Sequence, residues 1–194
     1  MKNNELKKIL NFVEEAGMLK RVKRSGWSVL GIKDAETVAE HSFRCAVLGY
    51  VLASMENVHP YKVVMMTLLN DIHEARLGDL HKMSQHYIDL IKAEDKVYLE
   101  QISDLPNRIK NELGNMHVEY RKQHSKESMI ARDADILECL IQAKEYHEHG
   151  YKEALKFLKK APGFIRTKSA KQLWGLAKKS RLNTWWEALS DFKR

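Results

Sequence analysis

Apolar residues recur along this chain at helical spacing, and no segment alternates apolar and polar over more than four residues. Leu6, Ile9, Leu10, Val13 and Ala16 predict an amphipathic helix over 5–19, with Gly17 near its end. Thr37 and Glu40 form the sequence signature of a capping box, and Phe43, Ala46, Val47, Leu48, Val51 and Leu52 continue the stripe behind it. Pro60 suits the first position of a third helix. Val63, Val64, Met66, Leu68 and Leu69 are expected to carry that helix into 70–79, where Gly78 ends it. A fourth helix is expected over 84–104, and a fifth from Pro106 to near Gly114. A long one over 127–149 has Ile130, Ala134, Leu137, Ile141 and Tyr146 as its core stripe and Gly150 as its stop. Two shorter helices, 169–180 and 184–192, complete the chain, with Trp185 and Trp186 expected to anchor the last one. The pattern predicts an all-α domain with no internal repeat.

Chemistry is suggested where the pattern is broken. Asp71, Glu74 and Gly78 share one face if the third helix is continuous. Two carboxylates one turn apart repel each other, so they mark either a solvated acidic edge or an inward face neutralised by a cation. Asp133, Asp135 and Glu138 interrupt the apolar stripe of 127–149. Such carboxylates are costly inside a core unless paired or metal-bound. His41 sits in the second turn of its helix, as a satisfied core histidine or a ligand. His41, Asp71 and Asp135 come from three separated helices, as expected where a bundle gathers one site, and one imidazole with carboxylates suits a divalent metal. His73 lies about 200° round a helix from Asp71 and is expected on the surface or the substrate side. The run Lys20 to Trp27 could bind a phosphate through its cations, or form a polar loop with Trp27 tucked into the core.

At 194 residues the chain is long enough for one domain, taken as 1–194, with its core at about 18–150 and a basic extension at about 151–194. No run of 18 apolar residues suggests a membrane span, and the first residues lack the apolar core of a signal peptide. Cys45 and Cys139 suggest no disulfide framework and read as small core residues, so a cytoplasmic location is expected. Net charge is +7; residues 159–194 hold ten Lys/Arg against Glu187 and Asp191, a net +8, which leaves −1 for residues 1–158. A basic tail fits a polyanion, a phosphate-bearing ligand or a solvated surface, and Leu173, Leu176, Ala177, Trp185 and Leu189 read as its packing positions.

Glu40-His41-Ser42, Asn70-Asp71-Ile72-His73-Glu74, Gly78-Asp79 and Ala134-Asp135 together resemble the HD-domain metal-dependent phosphohydrolases, and more narrowly their 5′-deoxynucleotidase branch. Arg24-Ser25-Gly26-Trp27 and Ile141 to Tyr146 add to the match, which covers about 18–150. The resemblance implies an HD-domain helical bundle with additional C-terminal helices. It implies a divalent ion such as Co²⁺ or Mn²⁺ on His41, Asp71 and Asp135. Glu74 and Asp79 would serve the attacking water and the leaving group. Arg24 and Trp27 would hold phosphate and select the deoxy sugar. The implied substrate is a small nucleotide, a deoxynucleoside 5′-monophosphate, and the implied assembly is a homodimer. Asn70 stands where the family has His; its carbonyl oxygen could ligate, but it is neutral and harder than imidazole. That departure keeps two alternatives open: a catalytically impaired nucleotide- or nucleic-acid-binding protein, and a hydrolase of another phosphate ester.

Overall fold

The computed structural model describes residues 3–181 and 184–189. Eleven α-helices are present among them: α1 (Asn3–Ala16), α2 (Ser25–Ser28), α3 (Val38–Met55), α4 (Pro60–Leu69), α5 (Glu74–Leu77), α6 (Lys82–Gln85), α7 (Leu90–Ser103), α8 (Asn107–Lys122), α9 (Lys126–Glu148), α10 (Ala154–Phe157) and α11 (Lys168–Lys179). Short 3₁₀ turns lie at Gly17–Lys20, Ala161–Phe164 and Glu187–Leu189. The described residues contain no strand, only an isolated bridge between Lys23 and Thr37. No helix among them is long and apolar enough to cross a membrane.

Helices α3, α4 and α9 form the centre. Leu52, Val63, Ile130, Ala134 and Leu137 are fully buried between them, and Met116 and Tyr120 of α8 and Ala170 of α11 close the cluster. α3 and α4 approach closely at Gly49, where an added Cβ would lie 3.1 Å from both Thr67 Oγ1 and Val63 Cγ1. A second cluster gathers Trp27, Ile32 and Ala35 against Ala143 and Ala154. A third joins Ile72, Tyr98, Ile102, Leu105 and Leu113 to Ile9 and Phe12 of α1.

The capping box is formed: the Thr37 side chain accepts from the Glu40 N–H, and the Glu40 carboxylate accepts from the Thr37 N–H at 2.6 Å. Pro60 opens α4, and Gly150 follows α9 with φ +102°. Four boundaries differ from expectation. α4 does not continue to Gly78. It stops at Leu69, residues 70–73 form turns, and α5 restarts at Glu74 before Gly78 takes φ +72°. Asp71 and Glu74 therefore meet through a turn rather than along one helix face. The expected 84–104 helix is two, because the Asp89 side chain caps a new start at Leu90. α8 runs through Gly114 to Lys122: Leu113, Met116, His117 and Tyr120 keep a buried stripe going, and burial outweighs the roughly 1 kcal/mol cost of an interior glycine. At the C-terminus, Trp185 and Trp186 are exposed rather than anchored, as are Leu176 and Leu189; Leu173 and Trp174 of α11 make the packing contact instead. Residues 190–192 of the expected last helix lie outside the described residues.

Asp133 explains how the extension is attached. Fully buried on α9, it accepts from Arg166 N at 3.0 Å and from Thr167 N and Oγ1 at 2.6 Å each. Glu56 accepts from Ser169 N at 2.9 Å. Two carboxylates thus satisfy the N–H groups of Thr167 and Ser169 at the start of α11, and the Thr167 hydroxyl accepts from the Ala170 N–H.

Candidate metal centre and phosphate-binding site

Three elements bring the expected ligands together. His41 is in the second turn of α3, Asp71 in the turn after α4, and Asp135 two turns into α9. His41 Nε2 lies 3.2 Å from Asp135 Oδ1 and 3.6 Å from Asp71 Oδ2. Two ligands about 2.1 Å from one ion and at right angles lie about 3 Å apart, so each carboxylate stands at a spacing from His41 that suits a divalent cation. His41, Cys45 and Asp135 offer ligand atoms within 4.8 Å of one another, a group that Asp71 does not join. His41 is 1 % exposed, and the Asp71 and Asp135 side chains 12 % and 18 %. The site is thus nearly closed to water, which strengthens its electrostatics.

The other polar atom of each donor is held from behind. His41 Nδ1 bonds to Glu138 Oε2, Asp135 Oδ2 accepts from Arg132 Nη1 at 2.6 Å, and Asp71 Oδ1 accepts from Asn70 Nδ2 at 2.7 Å. Glu138 is itself fully buried and is held by Arg44, whose Nε lies 2.8 Å from Oε1; Arg44 also reaches Gln142 and Glu145. A histidine whose far nitrogen is fixed by a carboxylate presents the near one as a ligand in a set tautomer. Burial raises the Asp135 pKa, but His41 and Arg132 outweigh it and hold the carboxyl below its ordinary range. Burial likewise opposes the charge on Glu138, and His41 and Arg44 outweigh it.

Glu74, at the start of α5, completes the acidic wall. Its Oε2 is buried with no hydrogen-bond partner. Burial, then Asp71 and Asp79, push its pKa well above the ordinary carboxylate value. An orphaned buried oxygen beside converging carboxylates is the feature expected of a cation and water site, and the donor set fits a divalent ion.

Arg24 is the cation of this wall: Nη1 lies 3.7 Å from Asp71 Oδ2 and 4.0 Å from Glu74 Oε1, and Nε lies 3.5 Å from Asp79 Oδ2. Its loop is pinned at both ends. Arg24 N donates to Glu36 O at 2.9 Å, and Ser25 N donates to Asp79 Oδ2 at 3.1 Å. Asp79, following the left-handed Gly78, is thus an anchor for the Arg24 loop as well as a neighbour of the site. Trp27 lies away from it. The indole is 3 % exposed, stands edge-on to Tyr146 with centroids 5.1 Å apart, and donates to Glu36 Oε1 at 2.9 Å. Burial and Glu138 raise the Glu36 pKa to about 7.

His73 is not a surface residue. It is 3 % exposed, with Nδ1 3.0 Å from Asn70 O and Nε2 3.4 Å from Glu94 Oε1, because the chain turns here instead of continuing as helix. Cys45 and Cys139 flank the site: Cys45 Sγ lies 3.5 Å from His41 Nε2, and Cys139 Sγ accepts from Arg24 Nη2 at 3.4 Å. Arg44 and Arg132 were not singled out by the sequence, and Ser25 only as a member of the Arg24–Trp27 run. For Arg44 and Glu138 the available signal was spacing, since each lies one turn beyond a proposed ligand, His41 and Asp135.

Comparison with known proteins places this geometry. A family model described as HD domain matches residues 16–174. The chain is 30 % identical over 152 residues to the 5′-deoxynucleotidase HDDC2 of Dictyostelium discoideum, covering 72 % of this chain and 77 % of that protein. It is 28 % identical over 161 residues to the protein of the same name from Xenopus laevis, covering 82 % and 75 %. A solved structure titled a predicted metal-dependent phosphohydrolase, from Magnetospirillum magnetotacticum, superposes with a TM-score of 0.71 at 25 % identity, covering 90 % of each chain.

Proposed function

The chain belongs to the HD-domain family, and from that premise we propose that it is a metal-dependent phosphomonoesterase that converts deoxynucleoside 5′-monophosphates to deoxynucleosides and phosphate. The observation that carries this reading is the approach of Asp71 Oδ2 and of Asp135 Oδ1 to His41 Nε2, beside Arg24 and the unpartnered Glu74 oxygen. A divalent ion, Mn²⁺ or Co²⁺ in our reading, would be held by His41, Asp71 and Asp135 and would supply charge neutralisation at the phosphoryl oxygens and a water acidified for attack.

The chain's own groups do the rest. Arg24 stays cationic, since burial is outweighed by the surrounding carboxylates Asp71, Asp79 and Glu74. Its guanidinium offers paired N–H donors to two phosphate oxygens. Glu74, one oxygen already engaged near Arg24 and the other free, orients the attacking water and accepts its proton. Asp79 keeps the Arg24 loop in place and stands where it can serve the departing 5′ oxygen. Trp27, buried as it is, acts on sugar selection by shaping that loop.

The alternative of a nucleic-acid-binding protein without catalysis draws on the basic segment 166–171. There the N–H groups of Arg166, Thr167 and Ser169 already serve Asp133 and Glu56, which leaves mainly side-chain cations for a polyanion. The test is phosphate release from deoxy- and ribonucleoside 5′-monophosphates with Mn²⁺, Co²⁺ or Mg²⁺. Release from the deoxy series is expected, falling about a thousandfold or more in Asp71→Ala. Equal release by that variant, or none from the native protein with any ion, would overturn the reading.

A further inference from the structure

Asn70 lies beside the metal centre, yet its side chain is committed elsewhere. An ionised carboxylate only accepts hydrogen bonds, so the amide group facing Asp71 Oδ1 is the NH₂. The amide oxygen is therefore turned away from that contact. The backbone of Asn70 is fixed as well, because its carbonyl oxygen accepts from His73 Nδ1 at 3.0 Å, and His73 Nε2 faces Glu94. Asn70 thus stands to Asp71 as Glu138 stands to His41 and Arg132 to Asp135: each holds one atom of a donor and leaves the other facing its neighbour across the site, Asp71 Oδ2 and Asp135 Oδ1 toward His41 Nε2.

We infer that Asn70 is a positioning residue and not a metal ligand. His41, Asp71 and Asp135 would then be the protein groups that hold the ion, one nitrogen and two carboxylate oxygens, and its other positions would be left to water and phosphate. The inference rests on the metal-dependent reading above and deepens it. It carries a consequence for the metal. One imidazole among oxygens is a harder set than two, so the site should favour Mn²⁺ and Mg²⁺ over Zn²⁺ more than a two-imidazole site would.

The test is Mn²⁺ binding followed by electron paramagnetic resonance in ¹⁷O-enriched water, which counts the waters on the bound ion. Six-coordinate Mn²⁺ with three protein ligands has three waters, and the native protein and Asn70→Ala should show the same number. Two waters in the native protein, rising to three in Asn70→Ala, would make Asn70 a ligand and overturn the inference. Asn70→Asp separates the two roles by sign. As a rear partner it sets a carboxylate against Asp71 Oδ1, and the Mn²⁺ dissociation constant should rise at least about tenfold. As a ligand it adds a negative donor and would tighten binding, which would again overturn the inference. The water count on the native protein decides the matter even where a variant does not fold. Absence of Mn²⁺ binding by the native protein would instead remove the hydrolase reading, and this inference with it.

Discussion

Asp133 and Asp135 lie two residues apart on α9, and their surroundings are opposite. Asp133 is fully buried and surrounded by donors that are neutral in themselves: two main-chain N–H groups and a threonine hydroxyl, all from the segment that opens α11. Asp135 is paired with charge, having Arg132 behind and His41 in front, and His41 in turn faces Asp71, whose acidic neighbour Glu74 lies close to Asp79 as well. The first region satisfies every donor it meets. The second leaves like charges close together and one carboxylate oxygen without a partner. A buried acid by itself therefore says little about chemistry; what distinguishes the two is whether the protein alone completes the hydrogen bonding.

Substitutions should separate the two regions sharply. The largest effect is expected from Asp135→Asn, which keeps the shape and removes one metal charge. Metal-dependent phosphate release should fall about a thousandfold or more, while the melting temperature of the metal-free protein falls only modestly, because Arg132 and His41 lose a charged partner but keep an amide in its place. Asp133→Ala should do the reverse. It strands three donors and should cost roughly 2–4 kcal/mol, about 5–15 °C in melting temperature, with Mn²⁺ affinity essentially unchanged. A calorimetric scan and a metal titration on each variant give both numbers. Were Asp133→Ala to lose metal binding while staying folded, the division between the regions would fail.

Glu138→Gln lies between these extremes, since Glu138 is buried like Asp133 but acts on His41. Metal affinity should weaken about 10–100-fold by titration. Loss of stability alone would return Glu138 to the structural class. The smallest effect concerns Glu36, the acid that holds Trp27. Its folded pKa of about 7 lies above the unfolded value of 4.5, so the folded state binds the extra proton between these limits. Stability contributed by that proton is full below about pH 4.5 and is lost as pH rises toward 7, with a slope of at most about 1.4 kcal/mol per pH unit. Melting curves of the native protein between pH 5 and 8 should show this decline, and Glu36→Gln should flatten it.

Much of this was legible in the chain. The caps at Thr37 and Pro60, the stop at Gly150 and the stripe Ile130, Ala134, Leu137 are local signals, each fulfilled by neighbours within one or two turns. The all-α character follows from them, and three separated motifs point to His41, Asp71 and Asp135, of which Asp71 and Asp135 each lie beside His41. The boundaries that failed depend on distant partners. Gly114 remains inside α8 because the helix covers α7, with Ile102 Cδ1 3.6 Å from where a Cβ would be. α4 ends at Leu69 in a turn that His73, Asn70 and Glu94 hold together.

What the sequence determined by itself, then, is where helices form and which residue types interrupt their apolar faces, because helix periodicity and capping act over a few residues. The tertiary structure alone decided which of those interruptions are chemical. Glu138, Arg132 and Asn70 acquire their roles only when α3, α4 and α9 pack, since hydrogen bonds of 2.6–2.7 Å such as those to Asp135 and Asp71 have no reach beyond the pair that makes them.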